Sequence, residues 1–178
     1  MPIAIRKRIN RLQLPGLLIV LLLAQGPALA SDPVLSSDKV DYVLVSKSKA
    51  RLYLVSNGKV IRSLPVAFGR NPYGHKEKRG DQRTPEGRYQ LDYKNEDSEF
   101  YKSIHISYPN DQDERIARSK GLDPGDMIMI HGQKNGYAQY ARFTQRENWT
   151  DGCIALTNED MDIVWSAVEV PIPIEIVP

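Results

Sequence analysis

With 178 residues the chain has room for one domain with a substantial core and little more. It carries 24 basic and 22 acidic residues, but Arg6, Lys7, Arg8 and Arg11 all precede residue 30, and beyond that point the balance is 20 against 22, a net charge of −2. A slightly acidic body without a basic stripe excludes nucleic acid as an expected partner.

The first segment reads as an export signal. Four basic residues precede the apolar run Leu14–Ala24, and the small-residue site Ala28–Ala30 follows. The run is shorter than the roughly 20 apolar residues that span a bilayer, and Pro15 and Gly16 interrupt it. Residues 1–30 are therefore expected to be a secretory signal peptide cleaved near Ala30. No cysteine follows the cleavage site, which gives no support to a lipid anchor. Residues 31–39 read as a flexible lead-in, and the folded domain is expected over residues 40–178.

Three runs rich in Val, Leu, Ile and Tyr open the domain, at 42–46, 50–55 and 59–67. Asn57-Gly58 separates the last two and is a strong hairpin signal, because a type I′ turn needs positive φ at both central residues. The segment 69–80 is glycine-rich and basic and reads as a loop, before a turn at 85–87 leads into another strand. A strand at 104–108 ends at Pro109. The stretch 110–121 predicts a short helix, with Asn110 as N-cap, acids in its first turn and Gly121 at its end. "DMIMIHG" reads as a buried strand that delivers His131 to the sheet's rim. A short helix over 137–144, a strand "CIALT" and a helix over 157–168 with Thr157 and Asp160 in capping-box spacing follow. "PIPIEIVP" predicts a closing edge strand, because Pro173 cannot donate to a ladder. The sum is a mainly β domain, sandwich or barrel-like, with a few short helices.

Cys153 is the only cysteine. Cysteine is among the most buried residue types, so an inert core thiol is the plain alternative. An exported protein in an oxidising compartment usually has paired cysteines or none, however, and a leftover one points to a reactive thiol or an intermolecular bridge. The turn-forming "TDGC" puts the sulfur at a strand's start. A nearby imidazole would help to generate the thiolate that does the work. Of the three histidines, His131 ends a strand beside Gly132, where a catalytic base can emerge. His105 shares a strand face with Ser103 and Ser107 and reads as solvated or supporting, and His75 as a surface residue. Separated histidines with no second cysteine do not make a metal site.

Taken together and in order, "TPEGRY", "ISYPNDQD", "GLDPGDMIMIHGQKNG" and "WTDGCIALTNEDM" resemble the L,D-transpeptidase catalytic domain, also called the YkuD-like domain, of bacterial cell-wall enzymes. The likeness runs over nearly all of the chain past the signal. The pattern that carries it is His131-Gly132, a loop, then Thr150-Asp151-Gly152-Cys153. The resemblance implies a β-rich fold with a catalytic cysteine at the floor of a cleft and acyl transfer on peptidoglycan stem peptides without cofactor or metal. Cys153 would be the nucleophile and His131 the acid and base, with Gly152, Thr150, Gly132, Asp151 and Trp149 around them. The acyl group would pass to the amine of a second stem, giving a 3→3 cross-link, or to an amine-bearing wall-linked protein. The location implied is the periplasm or the cell wall.

Two positions depart from the family pattern: Asp151 stands where many members have His, and Ala155 where many have Arg. No Lys or Arg follows Cys153 at all. Asp151 is either an inward charge that raises the thiol's pKa or an ordinary turn aspartate. Arg142 and Arg146, between the two halves of the motif, are the expected carboxylate-binding residues. Two other functions stay open. The same acyl-enzyme resolved by water makes a hydrolase, an L,D-carboxypeptidase or amidase. A non-catalytic wall-binding module would instead use Tyr101, Tyr108, Tyr137, Tyr140 and Trp149 as stacking surface.

Overall fold

Asn57 and Gly58 both adopt positive φ, 50° and 74°, and the hairpin they turn joins β2 (Arg51–Ser56) to β3 (Lys59–Pro65). β2 also pairs antiparallel with β1 (Tyr42–Ser46), which completes the expected meander. The computed structural model describes residues 39–178 and Met1. The signal expected over residues 1–30 and all but the last residue of the 31–39 lead-in lie outside the described residues. Among the described residues no helix is long and apolar enough to cross a membrane.

The remaining strands are β4 (Gly87–Ser98), β5 (Tyr101–Ile106), β6 (Met129–His131), β7 (Ile154–Ala155) and β8 (Ile172–Val177). They form one eight-stranded sheet in the order β3-β2-β1-β8-β4-β5-β6-β7. Its two ends meet: Ala67, two residues beyond β3, exchanges backbone hydrogen bonds of 2.9 and 2.8 Å with Ala155 of β7. The result is mainly β, a curled sheet whose closure brings the loop after β3 against the Thr150–Cys153 segment.

Alternation along the strands builds the core. Leu52, Leu54, Leu91, Ile104, Ile106, Ile130, Ile154, Ile174 and Ile176 are buried from six different strands, and Met161 and Val164 of α3 (Asn158–Ala167) join them. Each such side chain contributes about 1.5–3 kcal/mol by leaving water.

β8 is not an edge strand. It lies between β1, to which it runs parallel, and β4, to which it runs antiparallel. Pro173 is tolerated because its partner Gln90 turns its own N–H and C=O toward Ser107 on the far side, and the β1 ladder begins only at Ile174. The missing N–H thus falls where neither neighbour needs it.

The helices start where their caps place them. In α1 (Asp111–Ser119), Asn110 accepts from the Gln112 and Asp113 amides while Asp113 accepts from the Asn110 amide, a complete capping box. At α3, Thr157 accepts from the Asp160 amide at 3.1 Å. A 3-10 turn at Ala138–Tyr140 runs into α2 (Ala141–Thr144), the short helix expected between the two halves of the motif.

Candidate active site

β6 and β7 run parallel, with Ile130 opposite Ile154 and His131 opposite Ala155. Ile130 and Ile154 point into the core, so alternation turns His131 and Met129 to the opposite face. Cys153, immediately before β7, faces the same way. Both His131 and Cys153 line one cavity of about 460 Å³. A second groove of about 400 Å³, lined by Lys76, Arg79, Gln82 and Asp126, reaches the same sulfur from the other side of Met127 and Asp151.

The turn that presents the sulfur is built by its own residues. Thr150 is buried, donates its hydroxyl to the Cys153 carbonyl at 2.7 Å and accepts the Gly152 amide at 3.2 Å. Its backbone is fastened across the closure, Thr150 N–H to Phe68 O at 3.1 Å and Arg70 N–H to Thr150 O at 3.0 Å. Gly152 has φ +133°, and a Cβ there would stand 2.7 Å from the Arg83 carbonyl oxygen, so only glycine fits. Gly132 is equally enclosed, its missing Cβ being 2.7 Å from Asn158 Oδ1.

His131 is only 4% exposed and therefore forms a wall of the cavity rather than an open rim. Phe100 lies 4.7 Å from its ring and Trp149 5.6 Å, nearly perpendicular. Burial pushes the imidazole down to about 4, against the opposing pull of its bond to Gly132. Nδ1 sits 2.7 Å from the Gly132 carbonyl oxygen, which can only accept, so Nδ1 carries the proton and Nε2 is left as the basic nitrogen. Cys153 is half-buried and free. Burial pushes its thiol up, a backbone hydrogen bond from Met129 works against this, and the Asp151 charge adds to the rise. At neutral pH both groups rest uncharged.

The other histidines serve the fold. His105 Nδ1 is 2.8 Å from Asp92, and its ring stacks on Tyr93 at 4.6 Å, away from the cavity. His75 is not the surface residue expected. Its Nε2 lies 3.1 Å from the buried Asp113, its Nδ1 accepts the Glu86 amide at 3.1 Å, and Asp113 raises its pKa. Burial works against the charge on Asp113, but hydrogen bonds from His75, the Asn110 amide and Tyr89 outweigh it and hold the carboxyl below the usual range. This cluster ties the 70–86 loop to α1.

The L,D-transpeptidase catalytic domain model, YkuD, matches residues 40–176. The chain belongs to this family. Among L,D-transpeptidases with a curated description, YafK of Escherichia coli K12, whose own assignment is provisional, is 33% identical over 97 residues, which is 53% of this chain and 32% of YafK. The crystal structure of the helical cell shape determining protein Pgp2 from Campylobacter jejuni is similar at 26% identity and a TM-score of 0.58, over 79% of this chain and 48% of that one. Bd1075 of Bdellovibrio bacteriovorus shares the fold, at 20% identity and a TM-score of 0.54 over 77% of this chain and 47% of its own. This chain thus spans about a third of YafK and about half of Pgp2.

As an L,D-transpeptidase domain it handles its two departures as follows. Ala155 is fully buried, its backbone paired with His131 on one side and Ala67 on the other. Asp151 is exposed and bonds the Arg70 guanidinium. It is a turn residue and a thiol-raising charge at once. Arg142 and Arg146 are not brought to the cavity. Both are exposed and stack over Phe143 at 5.4 and 6.0 Å. The cations that line it are Arg70 and Lys134. Arg70 gave no local signal, being one of several basic residues in a glycine-rich loop; only the closure of the sheet puts it beside Thr150. Phe100 and Ser103 were likewise missed, because the β5·β6 register that sets Ser103 opposite His131 is long-range.

Proposed function

We propose that this domain is an exported cysteine acyltransferase of peptidoglycan stem peptides, working through an acyl-enzyme on Cys153. The observation that carries the reading is the placement of His131 at the end of β6 and Cys153 just before its partner β7, both lining one apolar cavity, with Nε2 as the imidazole's free lone pair.

In the first step the Cys153 sulfur attacks the carbonyl of the L-centre of diaminopimelate in a tetrapeptide stem. Because burial raises the thiol and lowers the imidazole, proton transfer to His131 Nε2 accompanies attack instead of preceding it. The imidazolium then protonates the departing amine, D-alanine leaves, and a thioester remains. In the second step an amine attacks the thioester, His131 takes its proton, and the sulfur leaves with the proton returned. A second stem's side-chain amine gives the 3→3 link; an amine of a wall-linked protein or water gives the alternative products. The Gly152 N–H is already engaged by Thr150. The Cys153 N–H is then the backbone donor nearest the developing oxyanion, and one such donor is worth about 3–4 kcal/mol in the transition state. No outside energy source is required, since the peptide bond broken supplies the bond made.

The working place of such an enzyme is outside the cytoplasm. The test is incubation of the purified protein with a tetrapeptide muropeptide, with products resolved by mass. A cross-linked dimer with release of D-alanine supports the transferase, tripeptide alone supports the hydrolase, and an unchanged substrate contradicts both.

A further inference from the structure

The cavity beside Cys153 is walled mainly by Phe100, Trp149, Met127 and Met129, and the positive charges that line it are Arg70 and Lys134. Arg70 is the better organised of the two. Its backbone N–H donates to Thr150 O at 3.0 Å, and the residue before it bridges to Thr150. Its guanidinium is held at one nitrogen by Asp151, two residues from the sulfur in sequence. Among the described residues the guanidinium makes no other hydrogen bond to protein, so most of its five N–H donors remain for a ligand. Both partners are about half-exposed or more, 54% for Arg70 and 78% for Asp151, so a second carboxylate has room to reach the guanidinium. Lys134 stands in an exposed turn and offers a single, mobile charge.

We propose that Arg70, oriented by Asp151 at the mouth of the cavity, binds a free carboxylate of the acyl donor and makes the site selective for peptides that end in one. This rests on the stem-peptide reading above and deepens it. A planar guanidinium takes both oxygens of a carboxylate at once, which aligns the peptide and lowers the strain of presenting its carbonyl to the sulfur. Asp151 fixes the guanidinium's direction, and the ligand completes its coordination.

The test uses two probes that need no transpeptidase activity: iodoacetyl-D-alanine and iodoacetyl-D-alaninamide, which alkylate Cys153 with loss of iodide and differ only in the carboxylate. Wild-type protein should react faster with the acid than with the amide, after correction for the ratio measured with free cysteine. Arg70→Gln should reduce that preference by about 10- to 100-fold, the range a charge-assisted hydrogen bond to a carboxylate is worth. Arg70→Lys should keep part of it, and Lys134→Gln most of it. An unchanged preference in Arg70→Gln, or its loss in Lys134→Gln alone, overturns the assignment. Turnover of free and amidated tetrapeptides by the same variants separates the two levels: a wild type that prefers the acid probe but releases no D-alanine refutes the stem-peptide reading and keeps the carboxylate site.

Discussion

His131 donates through Nδ1 to the carbonyl oxygen of the next residue, Gly132, at 2.7 Å. A backbone carbonyl thus does what a carboxylate does in many triads: it fixes the tautomer and leaves Nε2 to accept a proton. It adds no negative charge, and the buried ring stays neutral. His131→Ala should therefore lower kcat by about 10²- to 10⁴-fold, the usual worth of a positioned acid-base group. His105→Ala should cost far less; kinetics in which His105→Ala is the more damaging change would contradict the assignment.

The thiol should be a reluctant acid. Burial and Asp151 both raise it, so the rate of alkylation by iodoacetamide should rise with a midpoint above the ordinary free-cysteine value of about 8.5. Asp151→Asn should move that midpoint down, both by removing a negative charge and by releasing Arg70 from its partner. A wild-type midpoint near neutrality would instead mean a preformed thiolate-imidazolium pair.

Acid should destabilise the fold through His131. Unfolded, the imidazole takes its proton at 6.5, whereas in the fold it does so only at about 4. Between those values the unfolded chain binds the extra proton. The stability is intact above about 6.5 and is lost as pH falls toward 4, on the order of 3 kcal/mol in all. Denaturant melts of wild type and His131→Gln between pH 7 and about 4 should converge by that amount. A constant difference would mean that the ring is not held neutral.

Gly152→Ala should cost at least about 2 kcal/mol, because it combines a backbone region that is nearly glycine-only with a clash against the Arg83 carbonyl. Gly136→Ala, at φ +81° with open space around it, should cost only about 1 kcal/mol. Equal losses in the two melts would mean that the close approach of Gly152 to Arg83 is not what demands a glycine there.

Local chemistry was legible in the sequence and long-range closure was not. Asn57-Gly58, the Asn110 cap and the strand end at His131 each depend on a few residues and are found where expected, while Cys153 falls just before a strand shorter than "CIALT". Pro173 misled because a proline's missing N–H matters only on the side a neighbour occupies, and register decides that side. The candidate arginines misled for a similar reason. Arg142 and Arg146 are close to Cys153 along the chain, yet both lie exposed over Phe143, while Arg70 arrives from more than eighty positions away through the Ala67–Ala155 bridge.

The central claim is that Cys153 carries the acyl group. The most direct measurement is the intact mass of the protein after brief mixing with a tetrapeptide donor whose side-chain amine is blocked. Wild type should gain the mass of the donor less D-alanine, on the peptide that contains Cys153, and Cys153→Ala should gain nothing and release no D-alanine. Release of D-alanine by folded Cys153→Ala, at a rate near that of wild type, would contradict the account.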